Sequence, residues 1–233
     1  MTTNFHPPTP ASERIIAGRY RLERVLKQAG RRESFVAQDL TGGSRVVLRM
    51  TPAALATPVE ARLAHEAAIL AGLKAPQLSP LLDFGHADDR FFWVRPFIGG
   101  ESLAARTTGP WPIDDALAIA CRVLEALRAL HESGVLCRNL SPTNLIVPAG
   151  QSPAALVFAD CGLACSLTGD DEAQQKSVED VLYVSPEQAG SLDCEIGPPA
   201  DLYSAGAILF ELLAGHPPYR GTTVGATLLQ HMT

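Results

Sequence analysis

The sequence lacks any long uninterrupted hydrophobic segment. Its most apolar stretch, residues 202–214, has about thirteen residues and includes Ser204 and Glu211, whereas a membrane-spanning helix needs roughly 20 apolar residues. We therefore expect a buried helix there. Residues 1–12 contain three prolines, and they do not have the basic start followed by an apolar core that defines a signal peptide. They therefore predict a flexible tail.

Cysteine is scarce, and its spacing excludes two common uses. The five cysteines form an odd number without a close CxxC pair, which argues against a secreted disulfide framework and against a zinc knuckle. The predicted location is therefore the reducing cytoplasm. Two alternatives stay open for Cys161 and Cys165: small buried side chains, or metal ligands together with Cys137 or His131.

An excess of positive charge is also missing. The formal net charge is −6, which disfavours nonspecific binding to nucleic acid or to an anionic membrane. With 233 residues, 46% of them apolar and 19% charged, the chain is typical of a protein with one large or two small domains. Extensive disorder is excluded.

The first hundred residues predict a small sheet with one helix. Residues 19–37 alternate apolar and polar side chains around a turn, and residues 44–50 contain the β-branched pair Val46 and Val47. Residues 59–73 predict one helix, with Leu63, Ala67, Leu70 and Leu73 at helical spacing and Pro76 soon afterwards. Further strands are predicted at residues 78–84 and 91–97, with a polar turn at residues 86–90 between them.

The remaining sequence is mainly helical in pattern. Residues 113–133 predict an amphipathic helix, and residues 200–213 predict another that ends at Gly215 and the prolines after it. Short strands are expected at residues 145–147 and 156–159. The predicted buried face of the first helix consists of Leu117, Ala120, Cys121, Leu124, Leu127 and Leu130.

A motif in this half resembles the active site of protein kinases. Residues 137–144 read CRNLSPTN, and Asp160-Cys161-Gly162 follows sixteen residues after Asn144. The family's catalytic loop is His-Arg-Asp-Leu-x-x-x-Asn, and Asp-Phe-Gly comes later in its sequence. Glu66, Tyr183-Val184-Ser185-Pro186-Glu187 and the segment 201–206 (DLYSAG) match further family landmarks in order.

The resemblance is to bacterial serine/threonine kinases, and it extends from Arg19 to Met232. It implies a bilobal α+β fold. Residues 13–98 would form the amino-terminal lobe, with a small antiparallel sheet and one helix, and residues 99–233 a mainly helical carboxyl-terminal lobe. Because the family pairs Glu187 with an Arg from a later segment, the sequence predicts an incomplete second lobe.

The resemblance implies that the metal ligands are retained and the catalytic base is replaced. In the family, the catalytic-loop Asp accepts the substrate hydroxyl proton, and the positions of Asn144 and Asp160 hold magnesium. Asn139 occupies the base position, and Ser141 replaces a Lys that steadies the transferred phosphoryl group. An amide cannot take up a proton as a carboxylate does.

The nucleotide site implied by the resemblance is also altered. Lys27, Ala29 and Arg32 replace the three glycines of the phosphate loop, and only Gly30 lies nearby. Two alternatives stay open: an ordinary hairpin turn, or Lys27 and Arg32 offering cations to phosphate. Val47 replaces a smaller Ala over the adenine.

Two arginines stand where the family has other residues. Arg49 replaces the strand-three Lys and is predicted to pair with Glu66. In the hinge, which includes Phe97 and Ile98, Arg95 occupies an apolar position of the family. One hypothesis is that Arg49 and Arg95 neutralise Glu66 or Asp160 and partly fill the nucleotide space; the alternative turns Arg95 toward solvent.

The residues at positions that control the active arrangement of the family's kinases differ too. Arg138 retains the family's phosphate-pairing Arg, and the acids at 170–172 are candidates to hold it in place of phosphate. The other interpretation of these acids is a solvated loop. Asp180 replaces a Thr that contacts the base. Cys137 and Cys161 replace a His and a Phe that stack in the family; small buried thiols are the expectation, and a disulfide is the alternative.

Together these substitutions predict a pseudokinase that acts as a signalling scaffold or allosteric partner of another protein. ATP and magnesium binding are expected to be weak or absent. One alternative is a slow ATP- and magnesium-dependent serine/threonine kinase that phosphorylates a protein substrate. Another is a kinase-like enzyme that transfers a different group.

Overall fold

The structure is a computed structural model that describes residues 14–29, 32–51, 57–161, 181–190 and 195–232. The chain forms two compact units. The first contains the described residues up to Glu60 together with Leu81–Phe97, and the second contains Ala61–Pro80 and the described residues from Ile98 onward. These units are sets of packed segments, whereas the lobes expected from the sequence are continuous stretches, so that division stays a prediction.

The first unit is an antiparallel six-stranded sheet in the order β1-β2-β3-β4-β6-β5. One face of the sheet is the core of the unit, because alternate residues of each strand point to the same side. Phe35, Leu48 and Val94 are among its buried members. The strands are β1 (Ile15–Ile16), β2 (Tyr20–Ala29), β3 (Arg32–Asp39), β4 (Arg45–Met50), β5 (Asp83–Ala87) and β6 (Arg90–Pro96).

A polar network joins three strands of this sheet. Arg19 donates from Nε and Nη2 to the Asp39 carboxylate at 2.9 and 2.8 Å, and Tyr20 donates to Asp83 at 2.6 Å. The hydrogen bond from Arg19 holds the pKa of Asp39 well below its usual range, and backbone hydrogen bonds from Thr41 and Gly42 add to this effect. The network anchors the beginning of β2 to β3 and β5.

The second unit is mainly helical and also contains a small sheet in the order β7-β8-β9. Its elements are most of α1 (Thr57–Gly72), β7 (Gly100–Ser102), α2 (Leu103–Arg106), α3 (Ile113–Glu132), β8 (Leu145–Pro148), β9 (Val157–Phe158), α4 (Pro198–Ala214) and α5 (Val224–Met232). The stripe of Leu63, Ala67 and Leu70 on α1 is buried as expected. Sheet and helices together confirm the α+β class.

The helices α3 and α4 pack against each other, but the face that α3 buries differs from the prediction. Leu117 and Leu124 are 48% and 46% exposed, and Cys121 is exposed. The buried positions are Ala116, Ile119, Val123, Ala126, Leu127 and Leu130. Leu127 and Leu130 are buried as predicted. Apolar residues occupy both sides of α3, so their spacing alone could not exclude Leu117 and Leu124 from the buried face.

The strand predicted at residues 78–84 is misplaced. Leu78 forms only an isolated parallel bridge with Phe158, and Phe158 also exchanges backbone hydrogen bonds with Gln77 and Ser79. Pro80, which has no backbone N–H, then interrupts the segment. The strand β5 therefore begins at Asp83, and the predicted polar turn shrinks to the two residues between β5 and β6, Asp88 and Asp89, both with positive φ.

Four short elements of the described chain were not predicted: β1, β7, α2 and α5. The strand β7 depends on Gly100, since a Cβ at that position would lie 2.2 Å from the carbonyl oxygen of Val147. The helix α4 begins with two prolines in its first turn and ends at Gly215, whose φ of 81° is left-handed. No described helix has the length and apolar content to cross a membrane.

Candidate functional site

The loop after α3 takes its shape from one buried carboxylate. Asp201, in the first turn of α4, accepts hydrogen bonds from the backbone N–H of Cys137 at 2.8 Å and of Arg138 at 2.7 Å. Arg138 has a φ of 55°, a left-handed conformation that costs a non-glycine residue about 1–3 kcal/mol. The two bonds to Asp201 stabilise this strained backbone.

A third hydrogen bond completes the environment of Asp201. The Nε2 atom of His131, at the end of α3, lies 2.8 Å from Oδ2 of Asp201. Asp201 is only 1% exposed. Asp201 belongs to a family landmark, but its hydrogen bonds to the loop were not predicted. An acidic residue in the first turn of an otherwise apolar helix was the available signal.

Within the loop, backbone atoms carry the hydrogen bonds of Asn139. Its N–H donates to the carbonyl of Cys137 at 2.7 Å, and its own carbonyl accepts from Nδ2 of Asn144 at 2.9 Å. Ser141 shares a hydrogen bond of 2.8 Å with the Thr143 hydroxyl. The loop is thus braced by amides and hydroxyls, and the side chain at the base position is an amide.

The two predicted metal ligands lie on adjacent segments. Asn144 directly precedes β8 and Asp160 follows β9, and the antiparallel pair Leu145 and Phe158 brings these strand ends together. The N–H of Ala159 also donates to the carbonyl of Asn144 at 2.8 Å. The bond to Asn139 engages the Asn144 amide nitrogen, so the oxygen is the atom that it can offer a cation.

Asp160 is fully buried, with 0% exposure. A carboxylate and an amide oxygen are donors that suit magnesium, so the residues fit the metal of the family. In the described part of the chain, no three His, Cys, Asp or Glu side chains form a metal cluster. The alternative set with Cys165 includes a residue outside the described ranges.

Arg138 and Glu66 form an ion pair. The Nη1 atom of Arg138 lies 3.1 Å from Oε1 of Glu66, and both side chains are largely buried. Arg62 is also close to Glu66, at 3.4 Å. The pairing of Arg138 with Glu66 was not predicted. The expected pair of Arg49 with Glu66 involves the two units and stays a prediction.

Several predicted loop residues lie outside the described part of the chain. These include the acids at 170–172 proposed to hold Arg138, and Asp180. The glycine Gly30 and the side chains of Ala29 and Arg32, in the predicted phosphate loop, are outside it as well. Their roles stay predictions.

The two cysteines of the motif are completely buried. Cys137 and Cys161 are each 0% exposed, and neither is joined in a disulfide. Burial raises the pKa of the Cys137 thiol well above its usual value, and nearby Cys161 adds to the shift. A buried, protonated thiol is unreactive. The prediction of small buried cysteines is confirmed, and the disulfide alternative is wrong.

A second anchor of the loop is Gln188, which sequence reasoning missed. Its Nε2 donates to the carbonyl of Arg138 at 2.9 Å, and its Oε1 accepts from the Ser185 hydroxyl at 3.2 Å. Gln188 directly follows the family landmark that ends at Glu187. A long amide beside a recognised landmark was the only signal.

Three of the predicted nucleotide-contacting residues, Lys27, Val47 and Arg95, share one face of the first unit's sheet. Val47 pairs with Arg95, and Arg49 lies two residues further along the same strand. Arg95 is 3% exposed, so the alternative in which it turns toward solvent is wrong. Phe97 donates its N–H to the carbonyl of Arg45, and Ile98 begins the second unit.

Comparisons with known proteins agree with this geometry. A sequence model described as "Protein kinase domain" matches residues 37–232. The chain is 29% identical over 224 residues to the serine/threonine-protein kinase pkn2 of Myxococcus xanthus, with 93% of this chain and 27% of that protein covered. It is 33% identical over 210 residues to PknE of Mycobacterium tuberculosis, with 88% and 36% covered.

The chain spans about a quarter to two fifths of the length of these and similar curated relatives. Among solved structures, the kinase domain of Mycobacterium tuberculosis PknI aligns with a TM-score of 0.70 at 24% identity, covering 92% of this chain and 81% of that chain. At this identity the likeness concerns the fold.

Proposed function

Because this chain belongs to the protein kinase family, we propose that it is a pseudokinase that acts as a scaffold or allosteric partner of a signalling protein. The observation that carries this proposal is the catalytic loop. From Cys137 to Asn144 the loop contains no carboxylate, and Asn139 takes the position of the proton acceptor. General-base catalysis typically contributes about 10²- to 10⁴-fold to a rate.

Other contacts in the loop support the same proposal. Ser141, at the position of a Lys in the family, is engaged with Thr143 and has no charge for a transferred phosphoryl group. Glu66, which in the family serves the nucleotide-binding Lys, is held by Arg138 in an ion pair. These changes affect one transition state, so their costs will not simply add.

Protein kinases use ATP and magnesium, and magnesium neutralises charge on the phosphates. In this chain Asn144 and Asp160 are the residues that would hold the metal. We propose that ATP, and magnesium with it, binds weakly, because the phosphate-loop glycines and the strand-three Lys are replaced.

One observation favours a second candidate, a slow serine/threonine kinase. The pairing of β8 with β9 brings Asn144 and the segment of Asp160 together. Phosphoryl transfer depends mainly on positioning and charge stabilisation, so loss of the base alone does not abolish it.

Transfer of labelled phosphate from ATP to a generic serine- and threonine-containing protein tests the proposal. We expect the native protein to show no more transfer in magnesium than the Asp160→Ala variant. Native transfer that disappears in Asp160→Ala would instead establish the slow kinase. Melting curves of each variant verify folding.

The Asn139→Asp variant separates the possible causes of inactivity. If the missing base is the main deficit, this variant should gain about 10²- to 10⁴-fold in transfer rate. If several positions contribute, as we propose, the variant should gain far less.

A further inference from the structure

The helix α3 carries a line of exposed apolar side chains. Ile113, Leu117 and Leu124 are exposed, and so is the thiol of Cys121. Residues three and four apart lie on the same face of a helix, so these four side chains form one continuous line. Arg128, which is also exposed, follows at the same spacing. We call these five residues the α3 stripe.

The α3 stripe is separate from the side of α3 that packs in the core. The buried side includes Ile119, Val123 and Ala126, and the helix packs there against α4. At 100° per residue, the centre of the α3 stripe is turned about 130° from the centre of the buried side. Single exposed apolar residues are ordinary, whereas a contiguous group of them indicates an interaction surface.

The residues of the α3 stripe have nearly the same order in both directions. Leu117 and Leu124 lie at equal distances on either side of the point between Ala120 and Cys121. Two copies of α3 that run antiparallel around this point therefore place Leu117 of each copy against Leu124 of the other. Such a contact uses the same surface on both partners and has a two-fold axis.

The charges near the two ends of the α3 stripe are complementary in the same register. Asp114 is exposed in the first turn of α3, and Arg128 is exposed near its end. Antiparallel pairing places Asp114 of one copy beside Arg128 of the other, and the two-fold axis produces this pair twice. Parallel pairing would place like charges together at both ends, which is unfavourable.

This self-complementarity favours a second copy over an unrelated partner. A helix from a different protein needs only apolar residues to contact. Nothing in such a contact requires the leucines to be symmetric about one point, or the two ends of the stripe to carry opposite charges.

We propose that the α3 stripe is the contact surface of a homodimer, in which two copies of α3 pack antiparallel about a two-fold axis near Cys121. The line from Ile113 to Leu124 is about 17 Å long. A contact centred on one helix of each copy buries less than the roughly 1,200–2,000 Å² of stable complexes, so the dimer is reversible and has a dissociation constant of micromolar order.

Sedimentation velocity of the whole chain, at concentrations from about 1 to 200 µM, tests the proposal. The sedimentation coefficient should rise with concentration from the value of a monomer toward that of a dimer. Leu117→Glu introduces two charges into the centre of the contact and should weaken association by about tenfold or more. A native chain that remains monomeric over the whole range would overturn the proposal.

The matched control is Leu202→Glu, because Leu202 is a leucine of similar exposure on a different helix, α4. This variant should associate as the native chain does, and melting curves of both variants verify folding. Equal weakening by the two substitutions, or weakening by Leu202→Glu alone, would place the contact on another surface and overturn the proposal.

Charge exchange tests the antiparallel register. Asp114→Arg places two arginines together at each end of the contact and should weaken association about fivefold, since an exposed ion pair contributes weakly and the axis doubles its effect. Combining it with Arg128→Asp restores opposite charges and should restore association.

The control for charge exchange is Asp115→Arg, because Asp115 is exposed in the same turn of α3 but points away from the α3 stripe. It should leave association unchanged. A double variant that associates no better than Asp114→Arg alone would overturn the antiparallel register.

Cys121 reports the position of the two-fold axis. Helices that pack about 8–10 Å apart bring residues beside the axis within about 8 Å of each other, so a short bismaleimide should link the Cys121 thiols of two copies. Because the chain contains five cysteines, the link is assigned by its loss in Cys121→Ser. A link that persists in Cys121→Ser, or that is undiminished in Leu117→Glu, would contradict the proposed axis.

The dimer and the pseudokinase proposal fail independently. None of the residues of the α3 stripe belongs to the catalytic loop, so association in solution is measured without reference to phosphate transfer. Phosphate transfer that depends on Asp160 overturns only the pseudokinase proposal, and a monomeric chain overturns only the dimer.

Discussion

At the scale of single residues, Asp201 determines more of the catalytic loop than any residue within it. It receives two backbone N–H groups and a histidine nitrogen while it is almost fully buried. Each of these donors would be left without its acceptor if the carboxylate were removed, and a buried unsatisfied donor is costly. The loop conformation therefore depends on a side chain from another helix.

Replacing Asp201 by Ala should lower the free energy of unfolding by about 3 kcal/mol or more, because hydrogen bonds to a charged group are worth about 1.5–3 kcal/mol each. Urea unfolding followed by circular dichroism measures the change. The control is Asp115→Ala, an exposed acid in the first turn of α3, which should cost at most about 1 kcal/mol. Similar costs for both variants would contradict the anchoring role.

The residue scale also shows what the motif could predict. The chemical identity of Asn139, Ser141 and Asp160 follows from their positions in a recognised pattern. The contact of Arg138 with Glu66 does not, because only packing brings these two side chains together. Local spacing contains no information about contacts 72 residues apart.

At the scale of elements, α5 is attached to the second unit through a buried histidine. His231 is 5% exposed, its Nδ1 lies 2.7 Å from the Tyr203 hydroxyl, and its ring meets that of Tyr219 edge-on with centroids 5.0 Å apart. Burial lowers the pKa of His231 below its usual value, although the backbone of Val181 opposes the shift. Burial therefore favours the neutral form of the ring, which joins α5 to Tyr203 of α4.

This environment predicts a pH dependence of stability. A histidine with a lowered pKa takes up a proton more readily in the unfolded state, so its contribution to stability is complete above about pH 6.5 and declines as the pH falls below that value. Melting temperatures at pH 7.5, 6.5 and 5.5 should decrease for the native chain. The decrease should be smaller in His231→Gln.

The control for this experiment is His65→Gln, since His65 is exposed on α1. It should retain the full decrease of the native chain. A His231→Gln variant that loses stability on acidification as steeply as the native chain would show that other groups cause the effect.

The elements also differ in how well periodicity predicts them. The helix α1 was predicted because a single apolar stripe defines its buried side. The buried side of α3 was predicted only in part: Leu127 and Leu130 are buried, whereas Leu117 and Leu124, which are equally apolar, are exposed. Residues 78–79 were predicted as the start of a strand at 78–84, yet Leu78 forms an isolated bridge with Phe158, and the N–H of Ser79 donates to the Phe158 carbonyl.

At the scale of the whole molecule, the net charge sets one expectation about partners. A net charge of −6 opposes long-range attraction to polyanions such as duplex DNA.

We therefore expect binding to duplex DNA at physiological salt to be weaker than the roughly 10⁻⁴–10⁻⁶ M dissociation constants of nonspecific DNA-binding proteins. Fluorescence anisotropy with a labelled duplex measures this. Micromolar binding that falls steeply with salt would contradict the expectation.

The sequence by itself determined the family, the α+β class and the substitution of the catalytic base, because these depend on residue identities in a fixed order. Only the tertiary structure decided that Arg138 holds Glu66, that Asp201 shapes the loop and that Lys27, Arg49 and Arg95 share one face. The physical reason is that strand register and helix packing bring distant residues together. Sequence spacing reports only neighbours along the chain.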